Sequence, residues 1–87
     1  PTLTDIHYHL GVVLSDLGQT GRAEAAYRRA IEMDPRQADA LNNLGILLAQ
    51  RGDTRAALEL FERAVAANPA HPNATQNAAR ARRLLGG

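Results

Sequence analysis

Residues 41–69 read LNNLGILLAQRGDTRAALELFERAVAANP, and residues 7–35, HYHLGVVLSDLGQTGRAEAAYRRAIEMDP, carry the same pattern 34 positions earlier. The offset pairs Leu10 with Leu44, Gly11 with Gly45, Leu14 with Leu48, Gly18 with Gly52 and Thr20 with Thr54. It also pairs Ala23 with Ala57, Arg29 with Arg63, Ala30 with Ala64 and Pro35 with Pro69. Conservative pairs fill the gaps: Val12 with Ile46, Val13 with Leu47, Tyr27 with Phe61, Ile31 with Val65. Chance matches would scatter. These fall on glycines, small residues and apolar stripes, so the period marks a repeated structural unit.

Each unit reads as two helices. The first spans roughly residues 4–17, then 38–51 in the second copy; the second spans roughly 21–33, then 55–67. Gly18 and Gly52 stand where the first helix should stop, because glycine enters the left-handed C-terminal conformation without a Cβ penalty. Thr20 and Thr54 are expected to cap the next helix with their hydroxyls. Asp34-Pro35 and Asn68-Pro69 close the units, since proline drives the preceding residue out of helical geometry. A partial third unit, residues 72–85, supplies one more helix. The partition is therefore 4–37, 38–71 and 72–87.

Composition agrees. Of the 87 residues 45% are apolar but only 3% aromatic, with alanine and leucine dominating, which favours closely packed helices over strands. The chain has no cysteine, so disulfides and thiolate metal sites are excluded. All ten basic residues are arginine, and a net charge of +1 gives no strong pull toward nucleic acid or an anionic membrane. No apolar run reaches membrane-spanning length and no leader-like segment is present, which leaves the protein's address unread. Opening on Pro1, the chain is expected to be a processed or excised piece.

The signature positions resemble the tetratricopeptide-repeat family. In the first unit they are His7, Leu10, Gly11, Leu14, Ala23, Tyr27, Ala30 and Pro35; in the second, Leu41, Leu44, Gly45, Leu48, Ala57, Phe61, Ala64 and Pro69. The likeness covers essentially the whole chain. His7 departs from it, standing where the family favours a large apolar side chain. Leu14 and Leu48 replace a frequent tyrosine. The resemblance implies an all-α solenoid of five antiparallel helices in a right-handed superhelix, working as a protein-interaction module and not as an enzyme. Within that frame Gly11 and Gly45 are expected opposite Ala23 and Ala57, with Tyr27 and Phe61 as bulky keys between helices.

The ends differ from the middle. In the last helix the leucine and glycine slots become Ala78 and Ala79, and the next core slot becomes Arg82. That looks like the solvating helix that closes such arrays, so a natural terminus is expected there. On the first helix Leu3, Ile6, Leu10, Val13, Leu14 and Leu17 give an apolar arc of about 160°, wider than the roughly 100° one partner helix covers. The surplus predicts either excision from a longer array or self-association through the first helix.

A partner would meet what that arc leaves over: Tyr8, His9 and Val12, then Asn42, Asn43 and Ile46, then Asn73, Gln76, Asn77 and Arg80. His9, Asn43 and Asn77 share one register. An asparagine amide both donates and accepts, matching the backbone of an extended peptide. The pattern is similar to the asparagine ladder in the repeat domain of O-linked N-acetylglucosamine transferases. By contrast, the carboxylate clamp of chaperone adaptors is matched only at Asn43. A few such contacts, at about 0.5–1.5 kcal/mol each, imply micromolar to millimolar affinity.

Other chemistries find little support. His7 and His9 point to nearly opposite sides of a helix, and His71 lies in a predicted loop, so no metal or other cofactor is expected. Ser15, the only serine, has no base placed beside it. Asp5, Asp16 and Asp39 read as solvated helix-face charges. Arg80, Arg82 and Arg83, with Arg51 nearby, lack the aromatics and positive excess of a nucleic-acid site. Glu24 with Arg28 and Glu59 with Arg63 are expected as i, i+4 pairs. The leading role is peptide binding in a concave groove. A substrate-recruiting accessory domain of a larger enzyme such as a glycosyltransferase is the second reading, and pure self-assembly the third.

Overall fold

Thr2 opens the first helix with a reciprocal cap: its hydroxyl accepts from the Asp5 N–H at 3.1 Å, and the Asp5 carboxylate accepts from the Thr2 N–H at 3.3 Å. This computed structural model describes residues 2–86. The helices are α1 Leu3–Asp16, α2 Thr20–Met33, α3 Ala38–Gln50, α4 Thr54–Ala67 and α5 Ala74–Gly86, and no strand occurs among the described residues. The all-α solenoid expected from the period is the fold.

Gly18 and Gly52 end α1 and α3 at φ +79 and +95, the left-handed region the sequence required. Thr20 and Thr54 do not cap. They are the first residues inside α2 and α4, and the cap positions belong to Gln19 and Asp53. After a left-handed glycine a single non-helical residue suffices to redirect the chain, so the boundary falls one residue early. Asp53 accepts from the Ala56 N–H at 3.4 Å, whereas Gln19 makes no side-chain cap. At the outer turns Asp34 and Asn68 are extended before their prolines. Their side chains accept from Arg36 N–H and Ala70 N–H at 3.0 and 3.1 Å, the same local turn built twice.

Successive helices pack as hairpins, α1 on α2, α3 on α4, and α5 on α4, with α2 joining the hairpins through α3. The core is alanine and leucine around two rings: Ala23, Ala30, Leu41, Leu44, Ala57 and Ala64 are essentially inaccessible. The glycines face the rings rather than the alanines. A Cβ on Gly11 would stand 2.5 Å from Tyr27 Cε1, and one on Gly45 2.5 Å from Phe61 Cε1. Each glycine thus clears space for the aromatic ring of its own hairpin, which compensates the roughly 1 kcal/mol a helical glycine costs against alanine.

Surface pairs depart from expectation in two places. Glu24 and Arg28 pair at 2.8 Å as expected, but Arg51, the C-cap residue of α3, joins them and ties α2 to the end of α3. Arg63 leaves Glu59 and donates instead to the Pro35 carbonyl at 3.5 Å. Arg82 is held by Glu62 at 3.1 Å, so Arg51 and Arg82 belong to separate ion pairs and not to one basic cluster. Among the described residues no helix is long and apolar enough to cross a membrane.

Candidate peptide groove

The first helices of the units bring the register residues to one side. Val12, Ser15 and Asp16 of α1 meet Asn43, Ile46, Leu47 and Gln50 of α3 across a hollow of about 170 Å³, with Tyr27 at its base. Ile46 and Gln50 then form the wall of a second hollow of about 310 Å³. It reaches Phe61 of α4 and Asn77, Arg80, Ala81 and Leu84 of α5. The two hollows adjoin at Ile46 and Gln50, and each mixes apolar side chains with amides and one charge.

Tyr8, nearer the start of α1, lines neither hollow; its ring is 6.1 Å from that of Tyr27 and edge-on to His9 at 5.1 Å. Asn43 donates to the Tyr27 hydroxyl at 3.4 Å. Burial raises the pKa of Tyr8, with the Asp39 carboxylate adding to it and Asn43 opposing. Burial likewise raises that of Tyr27, opposed by Asn43 and reinforced by Asp16. Both phenols stay neutral and serve as hydrogen-bonding edges, not charges.

The ten predicted groove residues divide. Val12, Asn43, Ile46, Asn77 and Arg80 line the hollows. His9 is exposed, and its Nδ1–H donates to the Asp5 carbonyl at 2.8 Å. Asn73 and Gln76 are exposed and border neither hollow. Asn42 is corrected outright. It is 2% exposed, and its side-chain oxygen accepts from Asn77 at 3.0 Å, so it is a buried strut between α3 and α5. Its register faces the neighbouring helix once α5 packs against α3, and a buried amide must find an internal partner.

Ser15, Asp16, Gln50 and Leu84 were missed. All but Leu84 lie one helical turn beyond Val12 and Ile46, so extending the same 3.6-residue stripe would have found them.

His71, read as a loop residue, is 8% exposed and holds the α3–α5 junction. Its Nδ1 accepts from the Asn73 and Ala74 N–H groups, both at 3.2 Å, and its Nε2–H donates to Asp39 at 2.8 Å. Two accepted N–H bonds fix the tautomer. Gln37, 34 residues earlier, does the same service for α3, accepting from the Ala40 N–H at 2.6 Å. Among the described residues no three His, Asp or Glu side chains stand together as metal ligands.

A family model described as tetratricopeptide repeat matches residues 8–72 and again 46–87. The chain belongs to the tetratricopeptide-repeat family. It is therefore a repeat module for protein interaction, of a fold that generally binds without catalysing. The crystal structure of MamA is similar to this tetratricopeptide chain with a TM-score of 0.89 at 27% identity. That match covers 98% of this chain and 50% of the other, so the chain spans about half the length of that protein. A search of curated proteins gave no match.

Proposed function

We propose that the units 4–37, 38–71 and 72–87 act together to hold an extended peptide along the furrow of α1, α3 and α5. One observation supports the reading: Asn43 and Asn77 line adjoining hollows that share Ile46, the larger of them reaching Phe61. Each asparagine uses one N–H inside the protein and keeps its carbonyl oxygen for a backbone N–H of the ligand. The apolar lining supplies the attraction and the amides supply register, the usual division in a binding cleft.

The test is titration of labelled peptides against the chain, Asn43→Ala, and Ile46→Arg. Ile46 is half-buried on the shared wall, so an arginine there should block the trough while the helical fold persists by circular dichroism. Unchanged capture by both variants sinks the groove reading.

A second contact is supported by α1, where Leu3 is 64%, Val13 54% and Leu17 66% exposed and Ile6 and Leu10 lie between them. We infer that two copies associate through this face, replacing the helix pair that precedes a unit in longer arrays. The area is contiguous and large-residue apolar, the kind that marks an interface. Sedimentation over a range of concentrations reads it: a strict monomer with no dye-binding apolar patch removes the inference.

A further inference from the structure

The two hollows differ in sign. Asp16, at the end of α1, stands on the rim of the smaller one, and Arg80 of α5 stands on the rim of the larger. Both are exposed, and among the described residues neither takes part in an ion pair. The neighbouring charges are already engaged: Asp5 closes the cap of α1, Asp39 holds His71, and Arg51 holds Glu24. Asp16 is the one charged side chain lining the smaller hollow and Arg80 the one lining the larger. The larger hollow also has Phe61, Ile46 and Leu84 in its lining, an apolar recess beside Arg80.

We propose that the occupant is an extended peptide segment of mixed charge, resting on the groove reading above. Asp16 receives a basic side chain, the recess over Phe61 receives an apolar one, and Arg80 receives an acidic one. Charge complementarity selects this class over a uniformly acidic or uniformly basic peptide, because either of those places one like-charged pair on a rim. Spacing follows from the helices. α1, α3 and α5 are successive cylinders about 10–12 Å across, so Asp16 and Arg80 are on the order of 20 Å apart. An extended chain rises about 3.3 Å per residue, which sets the ligand's opposite charges roughly six residues apart.

The probes are four fluorescein-labelled peptides of about twelve residues on one alanine-serine-threonine background. Each carries two charges six residues apart, with a leucine two residues in from each so that all four side chains share one face of the extended chain; the charges are Lys and Asp, Asp and Lys, two Lys, or two Asp. Both mixed orders are needed because either chain direction satisfies the charges. One mixed peptide should bind about three- to tenfold tighter than either like-charged one, the sum of two exposed ion-pair effects. Arg80→Glu should move the preference to the two-Lys peptide, and Asp16→Lys to the two-Asp peptide. The discrimination should fade in about 1 M salt, where the screening length is about 3 Å.

A like-charged peptide preferred by the unaltered chain, or four equal affinities all abolished by Ile46→Arg, overturns the charge assignment and leaves the groove standing. Binding of none of the four up to the millimolar range overturns the groove reading and this inference together.

Discussion

α1 and α3 carry the same pattern 34 residues apart and meet very different fates. In α3, Ala40, Leu41, Asn42, Leu44, Gly45, Leu47 and Leu48 are buried; in α1 only Gly11 is. Leu44 is 1% exposed and its counterpart Leu10 is 46% exposed. Local sequence cannot account for the difference, since both helices pair with a following helix through the same glycine and ring. α3 packs on α2, α4 and α5, whereas α1 packs on α2 and keeps a bare flank. The repeat writes each helix for a middle position, and stacking decides which of them is covered.

The largest expected contrast tests that statement directly. Leu44→Ala should cost about 3–5 kcal/mol, near the cost of Phe61→Ala and a large share of the stability of a domain this size. At dilutions that keep the chain monomeric, Leu10→Ala should cost about 0.5 kcal/mol, as at any half-open surface site. Urea unfolding of both variants reads the difference. Equal costs would mean that α1 is covered in solution, and the cost at Leu10 would then fall with dilution.

The glycines should erase the contrast. Gly11→Ala and Gly45→Ala both drive a methyl group onto a ring edge at 2.5 Å, inside the hairpin and independent of the flank. Each should lose about 1–3 kcal/mol in thermal or urea unfolding, less any gain from alanine's helix propensity. Markedly unequal losses would show that the two hairpins are not equivalent inside.

The joints come next in size. His71→Ala strips an acceptor from two N–H groups and should cost about 1–2 kcal/mol, whereas Gln37→Ala loses one such bond and should cost about 0.5–1 kcal/mol. His71→Asn keeps an acceptor oxygen but not the link to Asp39, and its stability should fall between His71→Ala and the unaltered chain.

The smallest effect concerns the strut between α2 and α3. Hydrogen bonds first from Arg51 and then from Arg28 hold the Glu24 carboxyl below its ordinary pKa. A carboxyl depressed in the folded chain adds stability above its unfolded pKa, and that share is lost as pH falls through the folded value. Its partners are exposed, so the effect is about 1 kcal/mol or less. Glu24→Gln should flatten the stability profile on the acid side and leave it little changed in slope near neutrality.

How much of this was legible in the residues can be argued from particular positions. Glycine, proline and the aromatic slots announce the hairpin because each is required by backbone geometry or volume, and both are local. The groove was half legible. Asn43 and Ile46 follow from helical register, yet Asn42, one residue away, is buried because α5 arrives beside it. That is a tertiary fact with no local sign. His71 does lie in the loop the sequence predicts, but its burial had no local sign, because it comes only when the helix it caps folds back over it. The matching register of Gln37 was the available clue. Aligning the loops, and not only the helices, would have exposed it.

That shared register has an architectural consequence. Lengthening the array by copying residues 38–71 would repeat Asp39 with His71 and install an imidazole-carboxylate strap at every new joint. Copying residues 4–37 would instead propagate a neutral amide latch. One side chain per unit therefore tunes how firmly successive hairpins are fastened, on ground that neither hollow touches.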